Sequence, residues 1–117
     1  MIDNITGLLQ SGGFGTENVD IFSAAQPDDP DDCVTVYETG GFKPELHNSV
    51  EYPTFQIIVR GKIYATARQK VDDIYKALHG NTSIFMLIQA MQSPGSLGQD
   101  QKKRWEFSVN FKIIKHM

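Results

Sequence analysis

Hydrophobic and polar positions alternate most regularly at residues 104–115, where every second side chain is large and apolar. A period of two places one set of side chains on the buried face of a sheet, so this segment predicts a long strand. Residues 33–38 and 54–60 are rich in β-branched side chains and predict two more strands. Residues 19–24 are a further strand candidate. Residues 83–92 are apolar on both faces, as in a central strand, and a buried helix fits the same pattern. The pattern therefore predicts a mixed or antiparallel sheet of about four to five strands.

Two other segments have the longer period of an amphipathic helix. Apolar residues recur at helical spacing from Ala67 to Leu78, after a Thr66–Gln69 pair with the form of a capping box and before Gly80. The N-terminal segment 1–12 carries a shorter apolar face that ends at two glycines. We therefore expect an α+β fold, a single small domain over residues 1–117, with the N-terminal helix and one central amphipathic helix on one face of the sheet.

Residues 39–53 and 93–103 show neither period and contain proline and glycine, so both are predicted to be long loops. Loops longer than about 12 residues in a compact domain are usually functional. Apolar side chains in these loops are candidate contacts with another subunit or partner: Phe42, Pro44, Leu46, Tyr52 and Leu97.

Composition narrows the class of protein. The chain has 117 residues, 40% of them hydrophobic and 21% charged, as in a globular domain. Its formal charge of −3 argues against phosphate neutralisation as its main task, because non-specific nucleic-acid binding relies on clustered Lys and Arg. No apolar run approaches the roughly 20 residues that span a bilayer, and no secretory signal is visible at the N-terminus. We expect no membrane contact.

Candidate chemistry is sparse along the chain. The cluster of Asp28, Asp29, Asp31 and Asp32 lacks the alternating ligands, central Gly and terminal Glu of a calcium loop, and predicts a solvated turn. The three histidines, His47, His79 and His116, lie far from each other and from the lone Cys33. Acidic residues next to Cys33 disfavour its thiolate, so a structural role is predicted. The sequence predicts no catalytic, cofactor-binding or metal-binding residues, no cofactor, and no enzyme.

One catalytic alternative stays open. Pro27–Asp28 and Asp100–Lys102 each resemble part of a divalent-metal nuclease site. Both pieces fall in predicted loops, whereas such groups are normally held by rigid elements.

Four stretches, read in order, resemble the phage minor capsid protein family, which is related to the tail terminator and tail completion proteins of long-tailed bacteriophages. They comprise residues 30–41, 52–60, 74–80 and 91–111. The resemblance extends over about residues 22–113, nearly the whole chain, and none of these stretches is a catalytic signature.

The resemblance implies a structural virion protein that forms a ring, often a hexamer, on the tail tube. Its partners would be further copies of itself, the tail tube protein and a head-side connector, and DNA would pass through the ring without specific binding. The protein would be assembled in the host cytoplasm and reside in the virion tail or neck. As a hypothesis, the acidic groups that face the ring's lumen are Asp28, Asp29, Asp31, Asp32 and Glu106.

The resemblance does not separate a tail terminator from a connector, a stopper or another neck protein. An alternative from a different class is a non-viral protein-binding adaptor that stays monomeric.

Overall fold

The computed structural model describes residues 1–47 and 49–117. Over these residues the chain forms two helices, α1 (Ile2–Ser11) and α2 (Tyr64–Leu78). Six strands complete the fold: β1 (Ile21–Ser23), β2 (Cys33–Phe42), β3 (Val50–Gly61), β4 (Leu87–Ala90), β5 (Gly95–Gln99) and β6 (Trp105–His116).

The strands form one mixed sheet in the order β1-β2-β3-β6-β4, and β5 also pairs with β6. Strand β1 is parallel to β2, and every other pairing is antiparallel. The predicted α+β class and single domain are confirmed. The sheet has six strands rather than four to five, because the sequence analysis assigned residues 95–99 to a loop.

Both helices pack on the same face of the sheet. Ile5 and Leu9 of α1 and Val71 and Ile74 of α2 are fully buried in one hydrophobic cluster. The sheet contributes the alternating apolar side chains of its three central strands, and the rings of Phe55 and Phe111 stack at 5.1 Å. The core therefore uses the side-chain periods of two and 3.6 that the sequence shows.

The prediction that residues 39–53 form one long loop is wrong. Strand β2 runs to Phe42 and β3 begins at Val50, so the described residues that remain outside the strands are only 43–47 and 49, and residue 48 lies outside the described part of the chain. The two glycines that indicated a strand end instead form a β-bulge, which shifts the register between Glu38 and Gly41. Gly40 has a φ of 90°, a left-handed conformation that glycine adopts easily.

The prediction that residues 93–103 form a second long loop is also wrong. Its middle forms β5, which pairs with β6 through another bulge between Ser96 and Gly98. Glycine-rich segments have low strand propensity, so no local pattern indicated this pairing.

The start of the central helix differs from the predicted capping box: α2 begins at Tyr64 with Ile63 as its N-cap, and no side chain caps it. Gln69 donates to Asp73 at 2.8 Å instead of completing a capping box.

Candidate interaction surfaces

The end of the sheet opposite the start of α2 projects as an arm, formed by residues 38–47 and 49–54 with the last residues of β6. The molecule measures 49 × 24 × 23 Å, so it is about twice as long as it is wide. Register places Phe42 opposite Tyr52 and Val50 opposite His116. The arm therefore continues the sheet beyond the core.

Contacts on one face hold the arm together. Lys112 places its Nζ 5.8 Å from the ring centre of Phe42 and 5.6 Å from that of Tyr52. The hydroxyl of Tyr52 donates to Glu45 Oε1 at 2.8 Å. This hydrogen bond to a carboxylate raises the pKa of Tyr52, so the phenol stays protonated and keeps donating.

The tip of the arm leaves large apolar side chains exposed. Leu46 is 89% exposed and Phe42 53% exposed, and Pro44 lies between them in the exposed loop. The structure thus brings together four of the five candidate contact residues at the arm. Leu97 is 55% exposed on β5, which pairs with the start of β6 at the opposite end of the sheet.

The acidic segment before β2 is organised around a buried guanidinium. The side chain of Arg104, at the start of β6, is only 5% exposed. It donates to Asp100 Oδ2 at 2.8 Å, Asp28 Oδ1 at 3.2 Å and Asp31 Oδ1 at 3.3 Å, and also to the backbone carbonyl of Asp28. Arg104 therefore ties the segment 28–32 to the turn before β6.

Three more cations complete this cluster. Lys102 pairs with Asp28, and Lys62 Nζ lies 3.3 Å from Asp31 Oδ2. Arg60, only 3% exposed, donates to the backbone carbonyls of residues 28, 30 and 31. We call this group, formed by Asp28, Asp31, Asp100, Arg60, Lys62, Lys102 and Arg104, the ion-pair cluster.

Two carboxylates of the cluster, Asp28 and Asp100, have lowered pKa values. The hydrogen bond from Lys102, with help from Arg104, lowers the pKa of Asp28. The backbone N–H of Arg104 is the main cause of the lowered pKa of Asp100. Both groups therefore stay charged at neutral pH and keep the segment attached.

The remaining acidic candidates have different surroundings. Asp32 Oδ1 accepts the backbone N–H of Lys62 at 3.1 Å, and Asp29 is exposed. Glu106 lies on the sheet face opposite the helices and accepts a hydrogen bond from Gln26 Nε2 at 2.8 Å. Sequence reasoning found the acidic residues but missed Arg60 and Arg104, whose charge at the ends of apolar strands was the available signal.

The residues that suggested a nuclease site lie in the ion-pair cluster. Asp28, Asp100 and Lys102 do lie together, but the guanidinium of Arg104 bridges the two carboxylates. A divalent cation would therefore compete with a cation that the chain itself supplies. Within residues 1–47 and 49–117, no three His, Cys, Asp or Glu side chains are grouped so that they could hold a metal ion.

The histidines and the cysteine occupy separate places. His79 Nδ1 accepts the backbone N–H of Ala90 at 3.0 Å, which fixes the end of α2 against β4, while His47 and His116 are exposed. Cys33 is 1% exposed, and burial raises the pKa of its thiol. A protonated, buried thiol is a structural residue.

An open groove lies between the end of α1 and the first half of α2. Its volume is about 530 Å³, and its lining contains Gly13, Phe14, Ala65, Thr66, Gln69, Lys70 and Asp73. Phe14 and Ala65 make the groove partly apolar, and Lys70 and Asp73 place one charge of each sign at its side.

As far as the structure describes them, neither helix is long and apolar enough to cross a membrane.

Comparison with known proteins supports one family. A family model described as bacteriophage tail terminator protein matches residues 8–116. Among solved structures, the chain is similar to a protein from the virion of a native gene transfer agent particle, with a TM-score of 0.68 and 14% identity. That match covers 94% of this chain and 84% of the other, and at this identity it shows a shared fold. No curated protein matches.

Proposed function

Because the chain belongs to the bacteriophage tail terminator family, and is thus a structural, tail-associated virion protein, we propose that it forms a ring that caps the finished tail tube and offers its other side to the head-side connector. The observation that carries this proposal is the family match over residues 8–116, nearly the full chain. The family is a structural one rather than a class of enzymes.

The distribution of exposed apolar side chains supports contacts at both ends of the molecule. Leu46 and Phe42 are at the arm, whereas Leu97, Ile63 and Tyr64 are exposed at the end where α2 begins. Apolar side chains that are exposed next to one another form patches that a partner can cover, whereas single exposed ones are ordinary. A protein between a tube and a connector needs two such surfaces, one on each side.

The candidate contacts divide accordingly. We assign Phe42, Pro44, Leu46 and Tyr52 on the arm to contacts with a neighbouring subunit or with the tail tube, and Leu97 to a separate contact at the other end. Homo-hexamers are the expected assembly, either in solution or only on the tube.

Passage of DNA calls for a lumen that does not bind phosphate. The hypothesis that Asp28, Asp29, Asp31, Asp32 and Glu106 face this lumen is compatible with their position near one end of the sheet. Of these, Asp29 and Asp32 are the exposed carboxylates without a cation of the ion-pair cluster as partner, so they are the ones that would repel DNA most directly.

The decisive experiment is electron microscopy of particles made by a phage that lacks this gene product. Tails longer than normal would support the terminator function. Separate tails of normal length beside filled heads would instead indicate a connector, stopper or other neck protein. Intact, infectious particles would overturn the proposal and favour a monomeric adaptor.

A parallel measurement tests the ring directly. Light scattering on purified protein over a concentration series, with and without purified tail tubes, should give a mass of about six subunits in at least one condition. A monomer in both conditions contradicts the ring.

A further inference from the structure

Two separate surfaces of this chain, the exposed arm tip and the groove between α1 and α2, have complementary chemical character. The arm tip carries Leu46, the most exposed of its large apolar side chains at 89%. The groove is concave, about 530 Å³ in volume, with Phe14 and Ala65 in its lining. An apolar side chain gains free energy when it leaves water for such a site.

The charges around the two surfaces are also complementary. The arm tip carries Lys43 and Glu45 on either side of Pro44, and the groove carries Lys70 and Asp73 one helical turn apart. Each surface thus has one cation and one anion, so opposite charges can face each other across a contact. Such pairs contribute more to orientation and specificity than to affinity.

The arm does not reach the groove of its own chain. Strand β3 has 12 residues and spans about 40 Å, with the arm tip at its first residue and the start of α2 just after its last. Tyr64, the first residue of α2, packs against Trp105 at the far end of β6. A second molecule must therefore bring the arm to the groove.

We propose that the arm of one copy packs into the groove between α1 and α2 of a second copy, with Leu46 inserted and Lys43 facing Asp73. Because the two surfaces differ, the contact is head-to-tail, and a head-to-tail contact closes into a ring when its rotation fits a whole number of subunits. This inference rests on the proposed ring and identifies the contact that builds it.

The first test fills the groove. Ala65 is exposed, so Ala65→Trp occupies the groove without disturbing the core, and Lys76→Trp on an exposed position of the same helix is the matched control. Leu46→Ser removes the inserted side chain, with Val19→Ser, also exposed, as its control. Light scattering should show association at least about tenfold weaker in the two test variants and unchanged in the controls.

The second test uses charge reversal and cross-linking. Lys43→Glu should weaken association, and the double variant Lys43→Glu with Asp73→Lys should restore it. Leu46→Cys combined with Thr66→Cys in one chain should form disulfide-linked ladders of several copies, since the native Cys33 is buried and does not react. Each variant is compared with the wild type by urea unfolding, and the cross-linking is done both in solution and on purified tail tubes.

The outcomes distinguish the proposed contact between arm and groove from the proposed ring. Rings that persist in Leu46→Ser and Ala65→Trp, without ladders in the cysteine pair, overturn this contact and leave the ring intact. A protein that stays monomeric in solution and on tubes overturns both. Reduced association in the test variants alone, with rescue and ladders, supports the contact.

Discussion

A buried hydroxyl in the sheet makes an unusual stability prediction. Thr35 lies in β2, between Phe22 of β1 and Ile58 of β3, and is 0% exposed. Its Oγ1 has no oxygen or nitrogen hydrogen-bond partner in the part of the chain that the structure describes, and its interaction with the thiol of Cys33 involves only a weak hydrogen-bonding group. A buried polar group without a partner costs about 1–3 kcal/mol of folding free energy. Thr35→Val removes this cost and keeps the branched shape that the strand favours.

Thr54 in β3 provides the matched control. It is 6% exposed, and its hydroxyl lies 2.7 Å from that of Thr39, within hydrogen-bond distance. Thr54→Val loses this bond, which is worth about 0.5–1.5 kcal/mol. The same chemical change, made on two neighbouring strands of one sheet, should therefore stabilise the protein at residue 35 and destabilise it at residue 54, each by about 1 kcal/mol.

Urea unfolding followed by the fluorescence of the single tryptophan, Trp105, measures both changes. With a slope of about 2 kcal/mol per molar urea, the midpoint should rise by about 0.5 M in Thr35→Val and fall by about 0.5 M in Thr54→Val. The measurement is repeated at two protein concentrations, so that association does not contribute. A lower midpoint for Thr35→Val would show that its hydroxyl has a partner, and the reasoning would be wrong.

Three further outcomes follow from the structure. The pKa of Asp100 is lowered in the folded state, so its contribution to stability is complete above the ordinary carboxyl pKa and is lost as pH falls through the folded value. The protection of the amides near residues 28–32, measured against the intrinsic exchange rate at each pH, should therefore fall below about pH 4, and Arg104→Gln should lower it already at neutral pH. Gly41→Ala should disorder the arm, because its Cβ would lie 2.6 Å from a backbone oxygen, while Gly95→Ala, at a position with open space around the Cβ and no positive φ, should leave the arm proteolysis pattern nearly unchanged; equal patterns would contradict this. The buried Cys33 should react with a thiol reagent at pH 8 only after unfolding, and fast labelling of the native protein would show that the edge of the sheet opens.

The core could be predicted from the sequence because its signals are local. In β6, alternation over 12 residues places Phe107, Val109 and Phe111 on the buried face, as the pattern indicates. The apolar face of α2 is equally regular, and its residues Val71 and Ile74 are fully buried. These long periodic segments determine the fold class almost by themselves.

The arm could not be predicted because its residue types favour turns. Gly40, Gly41 and Pro53 lie within it, and each is rare in regular strands. In the folded protein Gly41 pairs with Pro53 beside a bulge, where the missing N–H of proline does no harm. Pairing with β6 supports this region, and that support comes from residues about 60 positions further along the chain.

The ion-pair cluster could not be predicted either, because its members lie far apart along the chain. Asp28 and Arg104 are separated by 76 positions, so no local pattern connects the acidic segment to its main cation. The acidic run was predicted to be a solvated turn, and Asp28, Asp29 and Asp32 are indeed exposed, whereas the ion pairs of Asp28 and Asp31 were not predicted. No local pattern in the sequence indicates the tertiary contact with Arg104, through which Asp28 and Asp31 join the ion-pair cluster.

The ion-pair cluster affects how a ring of this protein could avoid binding the DNA that passes through it. Charges that are already paired produce a field that falls off quickly, and at physiological salt even unpaired ones are screened beyond about 8 Å. Asp28 and Asp31 therefore add little repulsion of their own, whereas they hold the segment that presents Asp29 and Asp32. In a closed ring these exposed groups would repeat in every copy, each with a formal charge of −3. Repulsion of the DNA would then arise from symmetry and net charge rather than from one dense acidic site.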